Sequence, residues 1–255
     1  MLGDGPPVVF VNGAAADGDT SWTSLVPLVP GRLTCFLLST RGRGLSADAD
    51  DHSCERLAED IASFADSIGE PVGLVGHSSG AELALAAAAK SEGVSGVAAY
   101  EPGVEALMDD TAAAGHQAAM GRALQAVSEM RMEDAARYYV EDTPLFNDEE
   151  KALMSAAGVF KLMAPYAPMW MQEIPEYLRA IADPSVIENI SVPVLLLHGP
   201  RTHPWFTHTV RYLAAELADA HVVEISGAGH MGPYFSPDAV ADELIRFFTA
   251  QHPLG

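Results

Sequence analysis

The sequence is short of the features that tie a chain to a membrane, a nucleic acid, a metal or a disulfide framework. None of its 255 residues belongs to an apolar run that approaches the roughly 20 residues needed to span a bilayer. The opening Met1-Leu2-Gly3-Asp4-Gly5-Pro6-Pro7 has neither a basic flank nor an apolar segment, so no secretory leader is read and a cytoplasmic protein is expected. Cations are scarce: 14 Lys and Arg stand against 35 Asp and Glu, a net charge of −21. A field of that sign disfavours nucleic acid, anionic membrane surfaces and polyanionic substrates as partners. Cysteine is nearly absent. Cys35 sits in an apolar run and Cys54 in a polar one, neither at metal-ligand spacing, so both are read as reduced thiols. There is no internal repeat and no low-complexity linker.

What is present is enough apolar sequence, 49% of the residues, to fill one large α/β core or a core with an inserted subdomain. Short, near-uniformly apolar runs alternate with helical patterns. Strands are expected at Pro7–Val11, Leu33–Leu38, around Pro71–Gly76, Val94–Tyr100, Val192–Leu197 and Val222–Ile225. Helices are expected at Trp22–Val29, Cys54–Ile68 (with Leu57, Ile61, Phe64 and Ile68 on one face), from Ala81, at Thr207–Leu217 and at about Pro237–Thr249. Uniformly apolar strands joined by helices imply a parallel sheet covered on both faces, with ligands at the carboxyl ends of its strands. The interval from Val104 to Asn189 breaks the alternation. It reads as helices interrupted by Pro144, Pro165, Pro168, Pro175 and Pro184, and it holds eight of the ten methionines. The expected organisation is a core of residues 1–103 and 190–255 with a helical cap at 104–189. Most of the apolar cap residues are expected to be the cap's own packing. Methionine also suits pockets for bulky apolar ligands.

The stretch Pro71-Val72-Gly73-Leu74-Val75-Gly76-His77-Ser78-Ser79-Gly80 carries the chemistry. A buried strand ends at Gly-x-Ser-x-Gly and an alanine-rich helix starts at once. Gly76 and Gly80 stand where backbones must approach closely, and Ser78 is held at the strand's carboxyl end over a helix N-terminus. A serine needs a base. His230, in a Gly-x-Gly-His turn after the last strand, stands at the same sheet edge. His77 is read as packing. His198, His203 and His208 cluster after the penultimate strand, but no Cys or carboxylate accompanies them and no metal site is assigned.

Taken together, Asn12-Gly13-Ala14, Arg41-Gly42-Arg43-Gly44-Leu45-Ser46, Gly76-His77-Ser78-Ser79-Gly80, Leu197-His198-Gly199 and Gly229-His230 resemble the α/β-hydrolase superfamily. The resemblance implies Ser78 as nucleophile, His230 as base, and an oxyanion hole from the backbone N–H groups of Ala14 and Ser79. It implies no cofactor. Three departures stand out. Asn12-Gly13 replaces the family's usual His-Gly. The chain starts almost at its first core strand, so about six strands are expected rather than eight. The turn that usually carries the triad acid reads Gly199-Pro200-Arg201-Thr202-His203-Pro204, with Thr202 in the acid's place. The next place for an acid is one strand earlier, at Glu101; Asp109 and Asp110 are weaker candidates inside the cap. A displaced acid, the Ser78-Ser79 pair and Gly229, His230, Pro233 and Tyr234 are similar to lactone hydrolases of the zearalenone-degrading type.

The expected activity is hydrolysis of an ester or lactone, with Gly13, Met154, Tyr166, Trp170 and Met231 at the substrate pocket and a medium-to-large, mostly apolar small molecule as substrate. Carbon–carbon bond hydrolysis by the same triad, and a binding protein on a hydrolase scaffold, are the alternatives. An open sheet edge leaves room for a homodimer.

Overall fold

The computed structural model describes residues 3–251, so Met1 and Leu2 of the opening segment lie outside the described residues. Six strands form one sheet: β1 Pro7–Val11, β2 Thr34–Leu38, β3 Val72–His77, β4 Val94–Tyr100, β5 Val194–His198 and β6 Ala220–Glu224. Their order is β2-β1-β3-β4-β5-β6 and every neighbouring pair is parallel. β1, β3 and β5 are buried at every position, which is why they read as unbroken apolar runs. Successive side chains point to opposite faces. Val9, Val11 and Leu74 pack into one buried cluster, while Val8, Phe10 and Val75 pack into a second on the other side.

Helices cover both faces. All ten residues of helix Ser79–Ala88 are buried, between the sheet and outer helices, so it shows little amphipathic pattern. Helix Cys54–Ser67 is capped by Ser53 and buries Leu57, Ile61 and Ala65. Phe64 lies at its rim, 37% exposed, in edge contact with Phe36, and not on the buried face expected of it.

Several boundaries differ from expectation for local reasons. β5 starts at Val194 because Pro193 has no N–H to give a ladder. β6 is an edge strand, starts at Ala220 and is mostly exposed. The helix expected at Trp22–Val29 is a turn at Gly18–Ser21, capped by Asp17, followed by a 3-10 turn at Val26–Leu28 that contains Pro27. Pro168 and Pro175 do not break the chain: Pro168 opens helix Ala167–Tyr177 and Pro175 lies within its last turn.

Between β4 and β5 the described chain has no strand. Helices Asp110–Ser128, Met132–Asp142, Asp148–Ala156, Val159–Met163, Ala167–Tyr177 and Pro184–Glu188 fill the interval, called the cap below. Asp109 is the N-cap of the first of them and is committed to the Ala112 N–H. From β1 the chain crosses to β2 on one side and then to β3 on the other. The crevice at that reversal, beyond the carboxyl ends of β1 and β3, is where such sheets bind ligands.

Candidate active site

Ser78 stands between β3 and helix Ser79–Ala88 with φ 54° and ψ −128°, a conformation L-residues avoid. Two glycines allow it. A Cβ on Gly76 would lie 2.1 Å from the Gly80 carbonyl oxygen, and one on Gly80 would lie 2.6 Å from that of Asn12. The Ser78 N–H donates to the Tyr100 carbonyl at 2.9 Å, which fastens the turn to β4.

The structure brings His230 and Glu101 together. His230 Nδ1 donates to Glu101 Oε2 at 2.8 Å, leaving Nε2 on the far side of the ring. Glu101, just past β4, is fully buried, and it too has positive φ, 48°. Its other oxygen accepts the Gly199 N–H at 2.8 Å, and Oε2 also accepts the Thr202 hydroxyl at 2.8 Å. Thr202, in the turn after β5, therefore solvates the carboxylate of Glu101. Burial pushes the Glu101 carboxyl up to about 7, against these two donors, and pushes the His230 imidazole down to about 4. Above neutral pH the pair is a carboxylate beside an uncharged imidazole, the protonation state a general base requires. The imidazole is stacked on Phe206 at 4.1 Å between ring centroids.

The turn carrying His230 is tied down at three points. His77 Nε2 donates to the His230 carbonyl at 2.8 Å, Tyr100 donates to the Gly229 carbonyl at 2.7 Å, and Glu150 of the cap accepts the Met231 N–H at 2.5 Å. His77 is thus a brace for that turn and not packing alone.

On the other side of Ser78 lies the loop after β1. The Asn12 side-chain amide donates to the Gly13 and Ala16 carbonyls at 2.9 and 3.0 Å, and its oxygen accepts the Thr40 N–H at 2.7 Å. The Gly13 carbonyl shares a peptide plane with the Ala14 N–H, so Asn12 sets the direction of that N–H. Among the described residues neither the Ala14 nor the Ser79 N–H is used in a hydrogen bond.

Ser78 and His230 line one cavity, whose empty volume is about 1040 Å³ including the solvent at its mouth. No hydrogen bond joins Ser78 to His230 in this geometry. Such contacts are often loose in unliganded sites. Gly13, Ala14, Ser79 and Met231 line the cavity from the core, and Met154, Met163, Phe146 and Trp170 from the cap. Tyr166, expected here, does not line it. It lies in the 3-10 turn Ala164–Tyr166, and its hydroxyl donates to Asp17 at 2.7 Å. Six of the eight cap methionines are likewise absent from the lining. Among the described residues no Lys or Arg lines it.

The alpha/beta hydrolase family profile matches residues 8–243. The chain belongs to this family. A Mycobacterium tuberculosis protein named as a non-heme bromoperoxidase, BpoC, is 26% identical over 268 residues, spanning 97% of this chain and 95% of its own length. An alpha/beta hydrolase from Sphaerobacter thermophilus is 28% identical with a TM-score of 0.80, covering 97% of this chain and 94% of that one. MenH from S. aureus, 16% identical, superposes with a TM-score of 0.79 over 97% of this chain and 94% of that one, and shows the shared fold alone.

In this alpha/beta hydrolase the Gly-rich turn after β2 has a role its sequence did not announce. Arg43, fully buried, donates from Nε and Nη2 to the Ala14 carbonyl at 3.1 and 2.7 Å, and forms a buried ion pair with Glu173 of the cap. Glu173 also accepts from the Tyr177 hydroxyl and contacts His52 Nδ1 at 2.7 Å. Among the described residues no cluster of His, Cys, Asp and Glu is placed to hold a metal ion, and His203 is the N-cap of helix Pro204–Glu216. Cys35 and Cys54 are buried, free, and pushed up by burial. Among the described residues no helix is long and apolar enough to cross a membrane.

Proposed function

We propose that the protein is a serine hydrolase that cleaves an ester or lactone of an uncharged, mostly apolar small molecule. The observation that carries this reading is the 2.8 Å contact of Glu101 with His230 Nδ1, beside a strained Ser78 in one cavity. Ser78 attacks the carbonyl carbon and its proton passes to His230 Nε2. Glu101 holds the imidazole in the tautomer with the proton on Nδ1 and balances the imidazolium that forms. The N–H groups of Ala14 and Ser79 receive the oxyanion, a contribution worth about two to three orders of magnitude in rate per donor. His230 returns the proton to the leaving oxygen, and water then resolves the acyl-enzyme by the same route in reverse.

The substrate class follows from the lining. A carboxylate or phosphate buried among Met154, Met163, Phe146 and Trp170 would meet no countercharge, because no cation lines the cavity. The placing of the acid at Glu101 and the Ser78-Ser79 pair, which resemble the zearalenone-degrading type, extend the reading to macrolactones. The test is a serine-directed phosphonate with intact-mass detection, alongside a panel of esters and macrolactones. Labelling confined to Ser78, and a loss of roughly four to six orders of magnitude in turnover for Ser78→Ala, are expected. Equal turnover of a panel substrate by wild type and Ser78→Ala refutes the mechanism.

A further inference from the structure

Among the described residues, the buried side-chain nitrogen and oxygen atoms without a hydrogen-bond partner include Ser79 Oγ, Glu82 Oε2 and Trp170 Nε1. All three residues line the cavity that holds Ser78. The other such atoms, on Ser95, Thr209 and Gln251, lie away from this cavity. Unpaired buried polar atoms are rare in native proteins, and three at the cavity that holds Ser78 point to a ligand there. Glu82 is 2% exposed and Trp170 fully buried. We infer that Glu82, one helical turn after Ser78, and Trp170 of the cap, with Tyr139 packed on its ring, form a second polar subsite that binds an uncharged acceptor oxygen elsewhere on the substrate. This rests on the hydrolase reading only in placing the scissile carbonyl at Ser78.

The chemistry of the subsite is set by what each group already does. Glu82 Oε1 accepts the Gly103 N–H at 2.7 Å, which fixes the carboxyl and leaves Oε2 as its free atom. Burial pushes this carboxyl up to about 8, so at neutral pH it carries a proton. That proton belongs on Oε2, because Oε1 already receives an N–H. The free atom is therefore a donor. Trp170 Nε1 is a donor by constitution, and its ring rests against Tyr139 at 5.0 Å between centroids. Two donors in an apolar, cation-free cavity select a ketone, ester or ether oxygen. A hydrocarbon of the same shape leaves both unpaired.

The test uses the full chain, ¹⁵N-labelled, and two probes of nearly equal shape: 2-octanone and 2-methyl-1-octene, a carbonyl against an exomethylene. Dissociation constants come from titration, and the Trp170 indole N–H resonance is assigned by its loss in Trp170→Phe. Wild type should bind the ketone about tenfold more tightly, the scale of one added hydrogen bond, with the indole resonance moved by the ketone alone. Trp170→Phe and Glu82→Leu should each erase most of that preference. Glu82→Gln, which keeps an acceptor for Gly103 and a donor in the free position, should restore it. If Glu82→Leu fails to fold because the Gly103 N–H is stranded, Trp170→Phe decides. Equal binding of the two probes means the donors are served by solvent and overturns the subsite. A preference untouched by Trp170→Phe, or no saturable binding of either probe, overturns it too. Phosphonate labelling of Ser78 in the same samples separates the two ideas: labelling without a ketone preference sinks the subsite alone, and a preference without labelling sinks the hydrolase mechanism alone.

Discussion

Replacing Thr202 by valine should move the acid limb of the pH–rate profile upward without lowering its plateau much. The Thr202 hydroxyl donates to Glu101 Oε2 at 2.8 Å, and this bond favours the ionised carboxylate. Valine keeps the shape and removes the donor. A hydrogen bond to a charged group contributes about 1.5–3 kcal/mol, and one pKa unit corresponds to about 1.4 kcal/mol. The carboxyl should therefore rise by about one to two units. The lower figure is favoured because the Gly199 N–H and His230 remain on the carboxylate. The sign follows from which form works. Burial pushes the Glu101 carboxyl up to about 7, and the proposed mechanism needs it ionised beside an uncharged His230, so activity should be present above that pH and lost as pH falls through it. In Thr202→Val the loss should begin about one unit higher. The assay is kcat/KM on an activated aryl ester between about pH 5.5 and 9.5, corrected for spontaneous hydrolysis. A limb that stays in place while the whole profile drops would mean that Thr202 only shapes the loop. A limb that moves down would refute the electrostatic reasoning outright.

Glu173→Gln leaves the buried Arg43 guanidinium without its countercharge and should cost about 3 kcal/mol of stability, the low end for a broken buried pair, because glutamine still accepts one hydrogen bond. A melting temperature within a degree of wild type would show that the pair contributes nothing. Glu82→Gln should stabilise the fold by an amount that grows between pH 5 and 8.5. The wild-type carboxyl is raised from 4.5 to about 8, so its contribution is favourable below 4.5 and is lost as pH rises through about 8, a difference of a few kcal/mol that glutamine abolishes. Urea midpoints at the two pH values check this, and a gap independent of pH contradicts it.

The sheet was legible because its central strands are compact apolar runs closed by a glycine or polar turn, a local signal, whereas the exposed edge strand β6, with His221 and Glu224, was placed two residues late. The turn at Ser78 was legible for a similar reason: Gly76 and Gly80 are forced by the backbone at positions two residues either side of Ser78. Glu101 was expected by elimination, since Thr202 leaves the usual turn without a charge and strand order puts Glu101 at the same edge, and the structure sets it against His230. What remained hidden depends on contacts between distant parts of the chain. Arg43 and Glu173 are 130 residues apart, and nothing near either one announces the other. Glu150 looks like one more acid in the run Asp148-Glu149-Glu150, and only the fold puts it on the Met231 N–H. Tyr166 and Trp170 were indistinguishable as cap aromatics. Only the fold separates them: Trp170, buried in helix Ala167–Tyr177, lines the cavity, whereas Tyr166, in the turn before that helix, is tied to Asp17.

The shared grip of Arg43 bears on how this enzyme could be recombined with its relatives. One guanidinium holds both the carbonyl of Ala14, which lines the cavity with Ser78, and the carboxylate of Glu173 in the helical segment between β4 and β5. A foreign insertion without an acid at that point would strand a positive charge in the interior and loosen the loop carrying the Ala14 N–H. The chimera would lose chemistry as well as stability, although no residue of the core had been altered. Cap exchange, in the laboratory or in a genome, should therefore succeed at this seam when the arginine and its carboxylate travel together.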